Sequence, residues 1–138
     1  MRGFILLSDS AEVLNGKLYL LGGGWSRILL TPQRPLMNVT IAGIIYFGWV
    51  DANHQKNIDI SLFTQDRELV VIDDHPVQVT GPVEVGRPAG LVEGSEIELP
   101  IATRFEGISL DQGRYEWRMS INGELIASAV FDVIVATN

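Results

Sequence analysis

The residues able to do chemistry are few. His54 and His75 are the only imidazoles, and there are no cysteines. The missing thiols remove thiol nucleophiles and cysteine-held zinc or iron–sulfur centres. A serine triad needs a histidine partnered with a serine raised on a sharp turn. His54 lies in the polar run from Asp51 to Asn57, His75 directly precedes Pro76, and neither has such a serine beside it. Asp73, Asp74 and His75, joined by Asp51 and His54 from another loop, are oxygen and imidazole donors of the type that a divalent ion recruits. Acidic residues also populate turns for reasons of local hydrogen bonding alone, and that is the preferred account of both loops. Glu93, Glu96 and Glu98 offer carboxylates of the kind glycoside hydrolysis uses in pairs, yet they fit equally as exposed strand acids. The expectation is a chain that is not an enzyme, with no catalytic residue, no cofactor and no metal site.

Candidates for binding are better defined. Gly22, Gly23 and Gly24 run straight into Trp25, so a backbone without side chains delivers a large ring. Such a run lets a ligand or another backbone approach closely, or it marks a bulge or crossover between sheets with Trp25 as a core plug. The crossover is preferred. The run lacks the lysine and hydroxyl residue of a phosphate loop, and Arg27 stands where a dinucleotide fingerprint requires glycine. Tyr19 and Tyr46 fall on the strand faces opposite their apolar neighbours, which makes them candidates for an exposed aromatic or self-association surface.

The elements that must position these residues read as strands. Asn15-Gly16 between two apolar alternations predicts a two-residue hairpin turn pairing Leu14 with Lys17, Val13 with Leu18, Glu12 with Tyr19 and Ala11 with Leu20. Ala11, Val13, Leu18 and Leu20 then share one half-buried face. Upstream, Phe4 to Leu7 reads as a short buried strand ended by a turn at Ser8-Asp9-Ser10. Downstream, Arg27 to Leu30 is a strand closed by Pro32 and Pro35, and Leu36 to Val50 is the longest strand signal, expected at the centre of a sheet. Ala42 and Ile44 make the second face of that strand partly apolar too, as though something covers it.

Ile58 to Leu62 and Leu69 to Ile72 read as a hairpin about Gln65 to Glu68. The Pro- and Gly-rich stretch Asp73 to Gly94 reads as short edge strands and loops. Glu96 to Phe105 alternates cleanly, with Pro100 indicating an edge position. Leu110, Gly113 and Tyr115 resemble the tyrosine corner of immunoglobulin-like domains. Tyr115, Trp117, Met119 and Ile121 then share a core face. Asn122-Gly123 is expected in a three-residue bulged loop that aligns Leu125, Ala127, Ala129, Phe131 and Val133 with them. No stretch of ten or more residues combines a cap with apolar positions at helical spacing. The predicted fold is all-β: a single antiparallel, immunoglobulin-like β-sandwich domain over residues 1–138, with eight or nine strands and little or no helix.

Length and charge narrow the partners. A chain of 138 residues buries enough surface to fold as one domain without staples. A net charge of −7 opposes binding to a phosphate backbone, which depends on a dense cationic face, so no nucleic acid is expected. No apolar run reaches the roughly 18 to 20 residues of a membrane span, and the apolar run Phe4 to Leu7 is too short for a signal-peptide core; a cytoplasmic protein is expected.

The opening SDSAEVLNGKLYLLGGGWSRI and the closing GRYEWRMSINGELIASAVFDV resemble a family of short bacterial proteins known only as a domain of unknown function. The resemblance spans nearly the whole chain, more loosely from Asp51 to Gly94. It implies a single β domain of bacterial, cytoplasmic origin, assigns no activity or cofactor, and carries over Gly22, Gly23, Gly24 and Trp25 as motif positions. The function expected from all this is a non-catalytic protein-binding or assembly module, contacting a protein partner or another copy. The alternative is a domain for a small ligand, a sugar or a divalent metal, using His54, Asp73, Asp74 and His75.

Overall fold

The computed structural model describes residues 1–137, and the apolar alternations of the sequence are realised there as extended segments. In chain order these are β1 (Arg2–Leu14), β2 (Lys17–Gly23), β3 (Arg27–Leu30), β4 (Met37–Phe47), β5 (Lys56–Thr64), β6 (Val71–Ile72), β7 (His75–Pro76), β8 (Gln78–Val83), β9 (Ile97–Ile108), β10 (Gly113–Ile121) and β11 (Glu124–Val135). A single 3-10 turn, Trp49–Asp51, is the one helical segment among the described residues. The first sheet has the order β2-β1-β4-β9 and the second β3-β11-β10-β5-β8, while β6 and β7 form a small ribbon; none closes into a barrel. The fold is all-β.

One core joins the two large sheets. Leu7, Ile41, Ile45 and Phe47 of the first and Ile60, Leu62, Trp117, Met119 and Phe131 of the second are almost wholly buried in it. The rings of Phe105 and Trp117 meet across the sheets with centroids 4.6 Å apart, within the range of favourable aromatic pairs. At the start of β10, the Tyr115 hydroxyl donates to the Asp111 carbonyl at 2.9 Å, so the corner motif read from Leu110, Gly113 and Tyr115 is made.

The β1–β2 hairpin has the pairing expected of it, residue for residue. Asn15 and Gly16 take φ of 51° and 71°, the two left-handed positions of a type I′ turn. As expected, β4 is interior to its sheet, and β9, with Pro100, is an edge.

Five expectations are corrected. Ser8-Asp9-Ser10 is not a turn. β1 runs straight through it, because Ser8 pairs with Thr40 on one side and Gly23 on the other, and its hydroxyl donates to the Thr40 carbonyl inside the protein. The sheets are not wholly antiparallel, since β3 pairs with β11 in parallel. The turn at Asn122-Gly123 has two residues, not three. Ile121 pairs Glu124 directly, and a bulge after Met119 restores the register of Ala127, Ala129, Phe131 and Val133 while leaving the Leu125 side chain exposed. The hairpin from Ile58 toward Ile72 shrinks to one bridge, Phe63 with Leu69; Val71 and Ile72 pair instead with His75 and Pro76 across Asp73-Asp74. Finally, Val13 and Leu20 are exposed rather than half-buried. The cause is that β1 stays paired with β4 only as far as Ser8, whereas its pairing with β2 continues to Leu14. The hairpin beyond Ser8 is a two-stranded arm.

Candidate functional site

A solvated sheet face is expected to be polar where the opposite face is buried. The outer face of the first sheet departs from this at its middle. On β1 that face carries Arg2, Phe4, Leu6 and Ser8; the partners across β4 are Tyr46, Ile44, Ala42 and Thr40, and across β9 Glu98, Pro100, Ala102 and Arg104. Phe4, Leu6, Ile44, Ala42, Pro100 and Ala102 therefore form two apolar rows over three strands. Phe4 is 41 % exposed, Ala42 is buried among its neighbours, and the other four are half-buried.

Charged groups close both ends of these rows. At one end the Arg2 guanidinium lies 4.0 Å from the Tyr46 ring centroid and donates to both oxygens of Glu96, at 3.1 and 2.9 Å. Those bonds from Arg2 hold the Glu96 carboxyl below its usual range. At the other end Arg104 Nη1 donates to the Asp9 carbonyl at 2.7 Å and to the Thr40 hydroxyl at 3.1 Å.

The arm continues the same sheet beyond β4. Its outer face carries Leu14, Tyr19 and Leu21, exposed by 54 %, 50 % and 74 %; its other face carries Ala11, Val13, Leu18 and Leu20. A shallow groove of about 450 Å³ runs along it beside Glu12, Tyr19 and Leu20.

The glycine run lies at the root of the arm, where the chain leaves β2 in the first sheet for β3 in the second. The Gly24 amide donates to the Leu7 carbonyl at 2.8 Å. Gly22 has φ +61°, and a Cβ there would fall 2.2 Å from Asp9 Oδ2, so any other residue would strain the backbone and displace the Asp9 side chain. Gly24 has φ +88°. Trp25 is half-buried against the shared core, with its indole nitrogen buried and without a hydrogen-bond partner among the described residues. This placement agrees with a crossover between sheets.

Tyr19 and Tyr46 do not form a common patch. Tyr19 pairs with Glu12 and Tyr46 with Arg2, ten residues apart along β1, or about 33 Å at strand rise. Tyr46 is half-buried under Arg2, whereas Tyr19 stands free on the arm. Nor does the structure gather the loop donors. Asp51 and His54 precede the first residue of β5, where Lys56 pairs Val83, while Asp73 and His75 belong to the ribbon beyond its last. Among the described residues no three His, Cys, Asp or Glu side chains converge as metal ligands.

Sequence reasoning notices Ala42 and Ile44 but misses Phe4 and Leu6, because an unbroken apolar run hides which residues face outward. It also misses a depression of about 540 Å³ on the second sheet, lined by Asn57, Asp59, Phe63, Gln78, Thr80 and Ser120. There Asp59 accepts hydrogen bonds from Ser61 and, at 2.7 Å, from the Gln78 amide. No signal in the sequence joins these residues, which come from three strands.

No helix among the described residues is long and apolar enough to cross a membrane. The chain belongs to a family of unknown function, DUF6941, whose model matches residues 3–134. No curated protein matches it.

Proposed function

We propose that this chain is a non-catalytic protein-binding or assembly module that docks through its first sheet. The observation that carries the proposal is the apolar outer face of Phe4, Leu6, Ala42, Ile44, Pro100 and Ala102, bounded at both ends by paired charges. Contiguous apolar surface with a polar rim is the composition of an interface core. The same reading takes the architecture as an immunoglobulin-like sandwich, on the strength of the Tyr115 corner and the core shared by the two sheets. It takes the setting as the bacterial cytoplasm, on the strength of the resemblance and the absence of cysteine.

The test is comparative capture from a native host with wild-type protein and Phe4→Lys, whose side chain is already partly in water. Both should fold alike by circular dichroism. A protein retained by wild type and lost with Phe4→Lys supports the module; the same set retained by both contradicts it.

A second reading, a small-ligand or sugar domain, is supported by the second-sheet depression, where the Phe63 ring and the Asp59 and Gln78 hydrogen-bonding groups lie together. Aromatic and polar groups so combined suit a hydroxylated ligand. Chemical-shift changes at Phe63 and Gln78 on addition of a mixed monosaccharide panel would favour it, and their absence would remove it.

A further inference from the structure

We propose that the arm pairs with its counterpart in a second copy of this chain, β2 against β2 and antiparallel, so that two four-stranded sheets become one of eight strands. The inference goes beyond the reading above, since it uses the open edge of β2 and not the Phe4 face.

Exposed strand edges invite pairing unless proline, charge, shortness or a bulge blunts them. Three of the four edges of the two large sheets are blunted. β9 carries Pro100, Glu98, Arg104 and Glu106; β8 carries Gly81-Pro82; β3 has four residues and is followed at once by Thr31-Pro32. β2 has no proline, and Lys17 at its start is its only charge. A two-stranded ribbon is marginal in water by itself, and this one exposes large apolar side chains on both faces, Val13 and Leu20 on one and Leu14, Tyr19 and Leu21 on the other.

The backbone fixes a register. With a two-residue turn, Leu14 and Lys17 are the closing hydrogen-bonded pair, and hydrogen-bonded and open pairs then alternate. The amides and carbonyls of Lys17, Tyr19 and Leu21 thus point to β1, and those of Leu18 and Leu20 point to the open edge. The left-handed Gly22 ends the extended segment, leaving Lys17 to Leu21, whose centre is Tyr19. Antiparallel pairing about that centre sets Leu18 opposite the partner's Leu20 in hydrogen-bonded pairs, Tyr19 opposite the partner's Tyr19, and Leu21 opposite the partner's Lys17. No like charges meet. Residues directly opposite share a face, so the two Tyr19 side chains meet at the centre of the joined sheet, each Leu21 lies beside the partner's Lys17, whose own neighbour on β1 is Leu14, and both outer apolar faces lie on the same side of the joined sheet.

Sedimentation equilibrium and native mass spectrometry on the full chain test the register through charge. Wild type is expected as two chains. Leu21→Lys sets lysine against the partner's Lys17 twice and should raise the dissociation constant about tenfold or more. Leu21→Glu should leave it equal or tighter, and Lys17→Glu combined with Leu21→Lys should restore it. Leu21 is solvent-facing, so all variants should fold, and slowed amide exchange at Leu18 and Leu20 in wild type gives an independent readout. A single-chain mass for wild type at its highest soluble concentration, or the same mass for Leu21→Lys and Leu21→Glu, would overturn the proposal. Phe4→Lys should leave the two-chain mass unchanged. A monomeric wild type whose Phe4 face still captures a protein would thus sink this pairing alone.

Discussion

Arg104 and Asp9 come together across the first sheet: the guanidinium Nη1 on the edge strand β9 reaches past β4 to within 2.7 Å of the Asp9 carbonyl on β1. Asp9 is the first residue beyond the last β1–β4 pair, so this contact pins the root of the arm to the body of the sheet. The same guanidinium also holds Thr40 and borders the apolar face. One guanidinium therefore bridges the face and the arm.

Arg104→Ala should loosen the arm without unfolding the core. Local opening costs less than global unfolding, so amide exchange from Ser10 to Leu21 is expected to quicken while Trp117 and Phe131 amides keep their wild-type rates. Hydrogen–deuterium exchange at residue resolution checks this; uniform acceleration would show that Arg104 holds the whole domain.

Tyr115→Phe should cost about 1 kcal/mol, the usual net value of one hydrogen bond, or roughly 3 °C in Tm for a domain of this size. Burial, with the Asp111 charge adding to it, raises the Tyr115 hydroxyl pKa. A phenol whose folded pKa lies above its unfolded value near about 10 contributes stability that is complete below that pH and is lost as pH rises through the folded value. The Tm of wild type should accordingly fall more steeply above pH 10 than that of Tyr115→Phe. Parallel alkaline limbs would contradict the assignment.

Trp25→Ala should lower stability by about 2 kcal/mol, less than a fully buried tryptophan loses, and leave the two-chain mass in place. Gly22→Ala should cost more than Gly24→Ala, since both need a left-handed backbone, worth about 1–2 kcal/mol, but only at Gly22 does a Cβ strike Asp9. Thermal melts with native mass spectrometry decide both. Dissociation of a folded Trp25→Ala would return Trp25 to the binding surface.

What was legible in the chain was local. Asn15-Gly16 specified its turn because two left-handed residues leave few alternatives, and the alternation from Tyr115 to Ile121 specified a core face. Ser8-Asp9-Ser10 misled because its polar side chains suit a turn, while the deciding partner, the Thr40 carbonyl, is 32 residues away. Asn122-Gly123 misled more narrowly: the register from Ala127 onward was legible, yet a two-residue turn with a bulge two pairs further on reaches the same alignment as a longer loop. The outer face was half legible. Ala42 and Ile44 showed an apolar second face on β4, but Phe4 and Leu6 join it only through a strand pairing that no local pattern encodes.

The most direct measurement is photo-cross-linking in living host cells from a benzophenone side chain placed at Phe4, with Val130 on the outer face of the second sheet as control. If the first sheet is the docking surface, the Phe4 probe yields a discrete protein adduct, identified by mass spectrometry, and the Val130 probe yields none. Equal labelling from both positions, or no adduct at Phe4 while the protein is folded and present, would contradict the account.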